Sequence, residues 1–205
     1  MLVPDTPGAT VPTSSNVNFG FGTVDPNVAL TTIGASGQVC FVNSAHGAVH
    51  LIADELGTIS KAAAKPAATG SVPQRVADTR LGIGGGMVVP SGRLCMGVAG
   101  AAGDVAFVNL TPVDATRAGY GQLVSSDVTT PAVASNVNFD RRTFDPNVAA
   151  ARIGANGQVC FVNSVHAAVH LVADHLITVT GSAYTAPSPT GAPVRVLDTR
   201  QVGSV

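Results

Sequence analysis

The chain repeats itself. Ser15-Asn16-Val17-Asn18-Phe19 recurs 120 residues later as Ser135-Asn136-Val137-Asn138-Phe139. The same shift carries Asp25-Pro26-Asn27-Val28-Ala29 onto Asp145-Pro146-Asn147-Val148-Ala149, and Gly37-Gln38-Val39-Cys40-Phe41-Val42-Asn43-Ser44 onto Gly157-Gln158-Val159-Cys160-Phe161-Val162-Asn163-Ser164. It also carries Arg75-Val76-Ala77-Asp78-Thr79-Arg80 onto Arg195-Val196-Leu197-Asp198-Thr199-Arg200. No gap is needed from Ser15 to Arg80, so the folding unit is one 120-residue repeat. A fainter echo, shifted by 54, relates Ala99–Asn109 to Ile153–Asn163 and divides each unit into two related halves. The 205 residues then read as a second half (1–60), a linker (61–72), a complete unit (73–180), a linker (181–192) and the first strand of a further unit (193–205). The motifs start and stop in mid-repeat. That order predicts either a piece of a longer array or a subunit completed by its neighbours.

The residues available narrow what such a unit can fold into. Apolar residues are 45% of the chain but aromatics only 4%, and the remainder is largely Ala and Val among 23 Gly and 13 Pro. Small and β-branched residues with frequent turn-formers suit short, closely spaced strands. The Leu, Glu, Lys and Gln that build long helices are scarce. Period-2 alternation predicts strands near 75–79, 93–99, 104–109, 121–124, 136–139 and 147–153, with further strands between Gly157 and Asn163 and from Val169 to Asp174. Val159 and Phe161 face one way, and Cys160 and Val162 the other. Leu171 shares a face with Val169 and Ala173, while His170, Val172 and Asp174 point oppositely. Roughly eight strands per unit predict an all-β fold of antiparallel β-sandwich units, each made of two halves packed face to face. A propeller- or trefoil-like arrangement of the half-units is the alternative.

Charge excludes several functions. A net charge of −1 gives no basic field for nucleic acid. Charged residues make up 11% and the mean hydropathy is +0.34, against a charge-rich disordered chain. No continuous apolar run is long enough to span a bilayer as a helix, so no membrane insertion is expected.

The candidate chemistry is thin. His46-Gly-Ala-Val-His50 and His166-Ala-Ala-Val-His170 have a zinc-like spacing, which converges only on a helix. On a strand, positions four apart lie about 13 Å from each other, so a turn His followed by a strand His is expected, with no metal and no cofactor. Asp54 and Asp174 lie four residues after His50 and His170, a His–Asp pattern with no nucleophile motif beside it. Structural roles are expected for His50, Asp54, His170 and Asp174. Asp78 and Asp198 are expected to be buried carboxylates needing partners such as Arg75, Arg80, Arg195 or Arg200. No catalytic residue is assigned and the chain is read as a non-enzyme. Asp-Pro-Asn at 25–27 and 145–147 reads as a turn, and Gly82–Gly86 as a loop without phosphate-binding context.

Three cysteines cannot all pair within one chain. Cys40 and Cys160 are repeat equivalents. Cys95 with Cys160 is the natural bridge within the complete unit, and Cys40 with Cys95 the alternative if the first half-unit packs onto 73–124. An oxidising compartment would suit either bridge; three buried thiols would act as small hydrophobes instead.

Together, Arg-Val-Leu-Asp-Thr-Arg, Gly-Asp-Val-Ala-Phe-Val-Asn-Leu-Thr, Ser-Asn-Val-Asn-Phe and Val-His-Leu-Val-Ala-Asp resemble the tandem β-repeats of secreted and cell-surface actinobacterial proteins. The resemblance covers nearly the whole chain. It implies an accessory or structural module, extracellular or on the cell surface, and constrains location more than mechanism. Where those repeats tend to show Gly-Tyr or Gly-Trp then Phe, this chain has Leu56-Gly57-Thr58 and Leu176-Ile177-Thr178. The expected function is a structural, self-assembling module whose partner is itself, as a head-to-tail homo-oligomer or filament. Main-chain pairing of Val194–Thr199 with a neighbour is one route to it, and folding back of 194–200 onto its own chain is the other reading. A carbohydrate- or cell-wall-binding module, with cell-wall polysaccharide as partner, is the alternative. The absence of Trp and the presence of only two Tyr count against sugar stacking.

Overall fold

The computed structural model describes residues 2–5, 26–44, 47–60, 73–131, 135–141, 145–164, 166–187 and 194–201. Apart from one 3-10 turn at Gly181–Ala183, the regular structure of these residues is all strand. In chain order the strands are β1 (Leu2–Pro4), β2 (Val39–Phe41), β3 (Ile52–Glu55), β4 (Thr58–Ile59), β5 (Gln74–Asp78), β6 (Arg93–Gly97) and β7 (Val105–Val113). They continue as β8 (Gly119–Ser125), β9 (Val137–Phe139), β10 (Asn147–Arg152), β11 (Gln158–Asn163), β12 (His170–Val179), β13 (Tyr184–Thr185) and β14 (Val194–Asp198). The chain divides into a smaller unit, 1–53 with 197–205, and a larger one, 54–196.

The larger unit contains the eight strands that alternation predicts. They form two antiparallel sheets, in the orders β10-β7-β12-β5 and β6-β11-β8-β9. Each sheet alternates strands drawn from residues 74–125 with strands drawn from 137–179. Neither stretch can therefore close a sheet without the other. The inward faces share one core: Ala106, Val108, Leu110, Leu171 and Ala173 from one sheet meet Leu94, Met96, Leu123, Val159 and Phe161 from the other. This is the packing of a β-sandwich. Close approach at the centre needs glycine, because a Cβ on Gly121 would lie 2.2 Å from Cε2 of Phe161.

The smaller unit carries the same local devices. Gly37 and Gly157 close equivalent turns at φ +81° and +77°, and the amides of Gly34 and Gly154 donate to the carbonyls of Gln38 and Gln158. β1 pairs with β2 in the register Leu2↔Phe41, Val3↔Cys40 and Pro4↔Val39. β8 pairs with β11 through Leu123↔Phe161, Val124↔Cys160 and Ser125↔Val159. β14, the strand read as opening a further unit, forms a two-stranded sheet with β3, the repeat counterpart of the β5–β12 pair. The division between the units falls within both β3 and β14. Residues 27–32, counterparts of β10, form no strand. Their larger-unit counterpart, β10, is held by β7.

The connection after β12 is more ordered than its composition suggests. Gly181–Ala183 makes the 3-10 turn and β13 pairs with β4 through Tyr184↔Ile59. The linker 61–72 and the remainder of the second linker from 188 lie outside the described residues.

Candidate association surface

The repeated Arg-Val-x-Asp-Thr-Arg segment is a clip between strands. Asp78 at the end of β5 is 1% exposed. It accepts hydrogen bonds from Nε of Arg80 at 2.9 Å, Nη2 of Arg80 at 2.7 Å and Nη1 of Arg75 at 3.1 Å. The Arg80 guanidinium holds the Asp78 carboxyl down at about 2, and the same bond raises the Arg80 pKa. Arg75 reaches across to β12, where its Nε donates to Asp174 at 2.5 Å. That bond is the main cause of its raised pKa. Thr79 Oγ1 accepts from the Leu171 amide at 2.9 Å and bonds Nδ1 of His170 at 2.9 Å.

The second copy of the segment repeats these bonds. Arg200 donates to Asp198 through Nε at 2.9 Å and Nη2 at 2.7 Å. Thr199 Oγ1 accepts from the Leu51 amide at 2.8 Å and lies 3.3 Å from Nδ1 of His50. In the larger unit, Arg195 grips the Asp54 carboxylate through Nε and Nη2. His170 thus bonds Thr79 while Asp174 takes Arg75, so both side chains are used in joining strands. His166 is exposed in the connection between β11 and β12, and His46 lies outside the described residues. Among the described residues no group of three or more His, Cys, Asp or Glu side chains is placed to hold a metal ion.

The sequence gives no signal for two polar groups, one buried and one half-buried. His175 is 8% exposed beside the bulge in β12 and lies 2.9 Å from Oγ1 of Thr178; burial lowers its pKa. The repeat offers no hint of it, because its counterpart is Glu55. Tyr184 donates its hydroxyl to the Leu56 carbonyl and lies under the Arg152 guanidinium, 5.7 Å from ring centroid to Cζ. Its ring covers Gly57, where a Cβ would come within 2.6 Å of it.

Cys95 and Cys160 form a disulfide between directly opposed positions of β6 and β11. The pairing left open by the sequence is therefore Cys95–Cys160, and Cys40 is free and half-buried. Its Sγ donates to Oδ1 of Asp5 at 3.7 Å, and burial followed by the Asp5 charge pushes the thiol pKa up.

The contrast between repeat equivalents marks out the surface. Ile33, Val39, Val49 and Ile52 of the smaller unit are 51%, 43%, 37% and 39% exposed. Their counterparts Ile153, Val159, Val169 and Val172 are 2%, 0%, 0% and 6% exposed. The covering strands in the larger unit include β6 against β11 and β7 against β12. Among the described residues, β2 is paired only with β1 and β3 only with β14. Two partial sheets therefore present apolar side chains to solvent beside open edges. No described helix is long and apolar enough to cross a membrane. No family model matches the chain, and no match among curated proteins reaches significance.

Proposed function

We propose that this chain is a non-catalytic structural repeat module, exported or displayed at a cell surface, that associates with further copies head to tail through its smaller unit. The exposure of Ile33, Val39, Val49 and Ile52, against the burial of their repeat counterparts, carries the reading. An apolar face that the same fold covers elsewhere in the chain gains most from being covered. A contact between this face and a different surface of the next copy is heterologous, so it propagates as a filament or closes as a ring. The Cys95–Cys160 bridge supports an oxidising compartment. The likeness of the motifs to actinobacterial surface repeats supports the same location. The bonded strand-to-strand roles of Asp78, Asp174 and His170 support a scaffold rather than a reactive site.

Size-exclusion chromatography with negative-stain imaging of the purified chain tests the proposal. Ordered assemblies are expected. A monodisperse monomer retained on isolated cell-wall polysaccharide would favour a carbohydrate-binding module instead.

A further inference from the structure

Resting on the reading of the smaller unit as an association surface, we infer that the surface of the next copy that meets it is the apolar loop between β5 and β6, residues 81–89 of the larger unit. Outside β14, the larger unit exposes five large apolar side chains among the described residues. Four of them, Leu81, Ile83, Met87 and Val89, stand in this loop, and the fifth is Val128. β14 pairs with β3, so its exposed Val196 and Leu197 adjoin the face rather than answer it. Among the described residues of the larger unit, this loop is therefore the short segment where exposed large apolar side chains gather.

Two properties fit the loop to the face. The first is charge. Residues 81–92 contain no Asp, Glu, Lys or Arg, and neither do residues 27–53, which carry the exposed Ile33, Val39, Val49 and Ile52. A contact between these segments strips no charge of its own from water, so apolar burial is not offset by the desolvation of ions. Arg80, at the foot of the loop, is already engaged by Asp78. The second property is order. The backbone groups of Asp78 and Ile83 bond reciprocally at 3.0 Å, and the Leu81 amide donates to the Asp78 carbonyl at 3.0 Å. At the far end Val88 and Val169 exchange bonds at 2.9 and 3.0 Å, and Nδ2 of Asn163 donates to the carbonyls of Val88 and Val89. Both ends are pinned to the sandwich, so the apolar side chains are presented without the ordering cost of an unpinned loop. Each copy thus carries one fixed apolar loop and one uncovered apolar face. The same contact repeats from copy to copy, as head-to-tail propagation requires.

The test is reciprocal complementation read by sedimentation velocity. It uses the intact chain, a loop variant Leu81→Ser/Val89→Ser and a face variant Ile33→Ser/Ile52→Ser. All four substituted side chains are exposed, Leu81 at 73% and Val89 at 60%. The intact chain should assemble as its concentration rises, and each variant alone should remain a monomer. Mixed in equal amounts at a concentration where the intact chain assembles, the variants should give a two-chain complex and nothing larger. The sound loop of one then meets the sound face of the other, and that recovery also shows both variants to be folded. A loop variant that assembles as readily as the intact chain, beside a face variant that does not, would overturn the inference and leave the association reading standing. Variants that stay monomeric when mixed would overturn it as well. An intact chain that never assembles would remove the association reading and the docking with it.

Discussion

A carboxylate as buried as Asp78 stays ionised because Arg80 and Arg75 supply its hydrogen bonds, and that dependence makes it acid-sensitive. Its pKa falls from an ordinary 3.8 to about 2 on folding, so the unfolded chain binds more protons between those values. The stability it contributes is complete above pH 3.8 and is lost as pH falls towards 2. Thermal unfolding between pH 2 and 7 should therefore show a steep acid limb that Asp78→Asn flattens, while lowering the melting temperature at neutral pH. An unchanged limb would remove Asp78 from the explanation. His175 acts in a different window. Burial lowers its pKa below the ordinary 6.5, so protonation favours the unfolded chain and stability declines as pH falls below 6.5. His175→Gln, which cannot take the charge, should abolish that decline and leave the Asp78 limb intact.

Among the elements, the eight strands of the larger unit were legible because each alternates cleanly between turn residues. Val159 and Phe161 share a face as read, and that face is the core side; Asp174 bonds Arg75 of β5 and His170 bonds Thr79 just after it. Less was legible where pairing depends on distant segments. Nothing in Val194–Asp198 states which strand it joins, so the β14–β3 pair had to be seen. Asn27–Thr32 reads like its counterpart β10, yet it forms no strand without a β7 beside it. The Tyr184 connection looked like linker because its ordering comes from β4 and Gly57, which lie far away in sequence. Of the candidate surface, the incomplete second copy could be counted from the repeat, but the exposure of its apolar residues is a property of the folded chain. Two measurements bear on this scale. Removing the disulfide with Cys95→Ser and Cys160→Ser together should cost about 2–4 kcal/mol in denaturant unfolding, since it closes a long loop across two strands. Phe161→Ala should cost about 3–5 kcal/mol, because the fully buried ring fills the space between the sheets. Its repeat equivalent Phe41 is half-buried in a unit with fewer strands around it, and Phe41→Ala should cost no more than about 1 kcal/mol. Equal costs would mean that Phe41 is covered in solution.

At the scale of the whole molecule, the second half of the repeat occurs twice among the described residues, with Ile153, Val159, Val169 and Val172 covered in the larger unit and Ile33, Val39, Val49 and Ile52 exposed in the smaller. The central claim is that this open face drives association, and sedimentation velocity over a range of concentrations tests it most directly. The comparison is between the chain and an Ile33→Ser/Ile52→Ser double variant, whose substitutions fall at exposed positions and leave the core of the larger unit untouched. The chain is predicted to sediment as concentration-dependent assemblies and the variant as the 20.4 kDa monomer, with circular dichroism showing unchanged β-structure. A chain that remains monomeric at every concentration, or a variant that assembles as readily as its parent, would contradict the account.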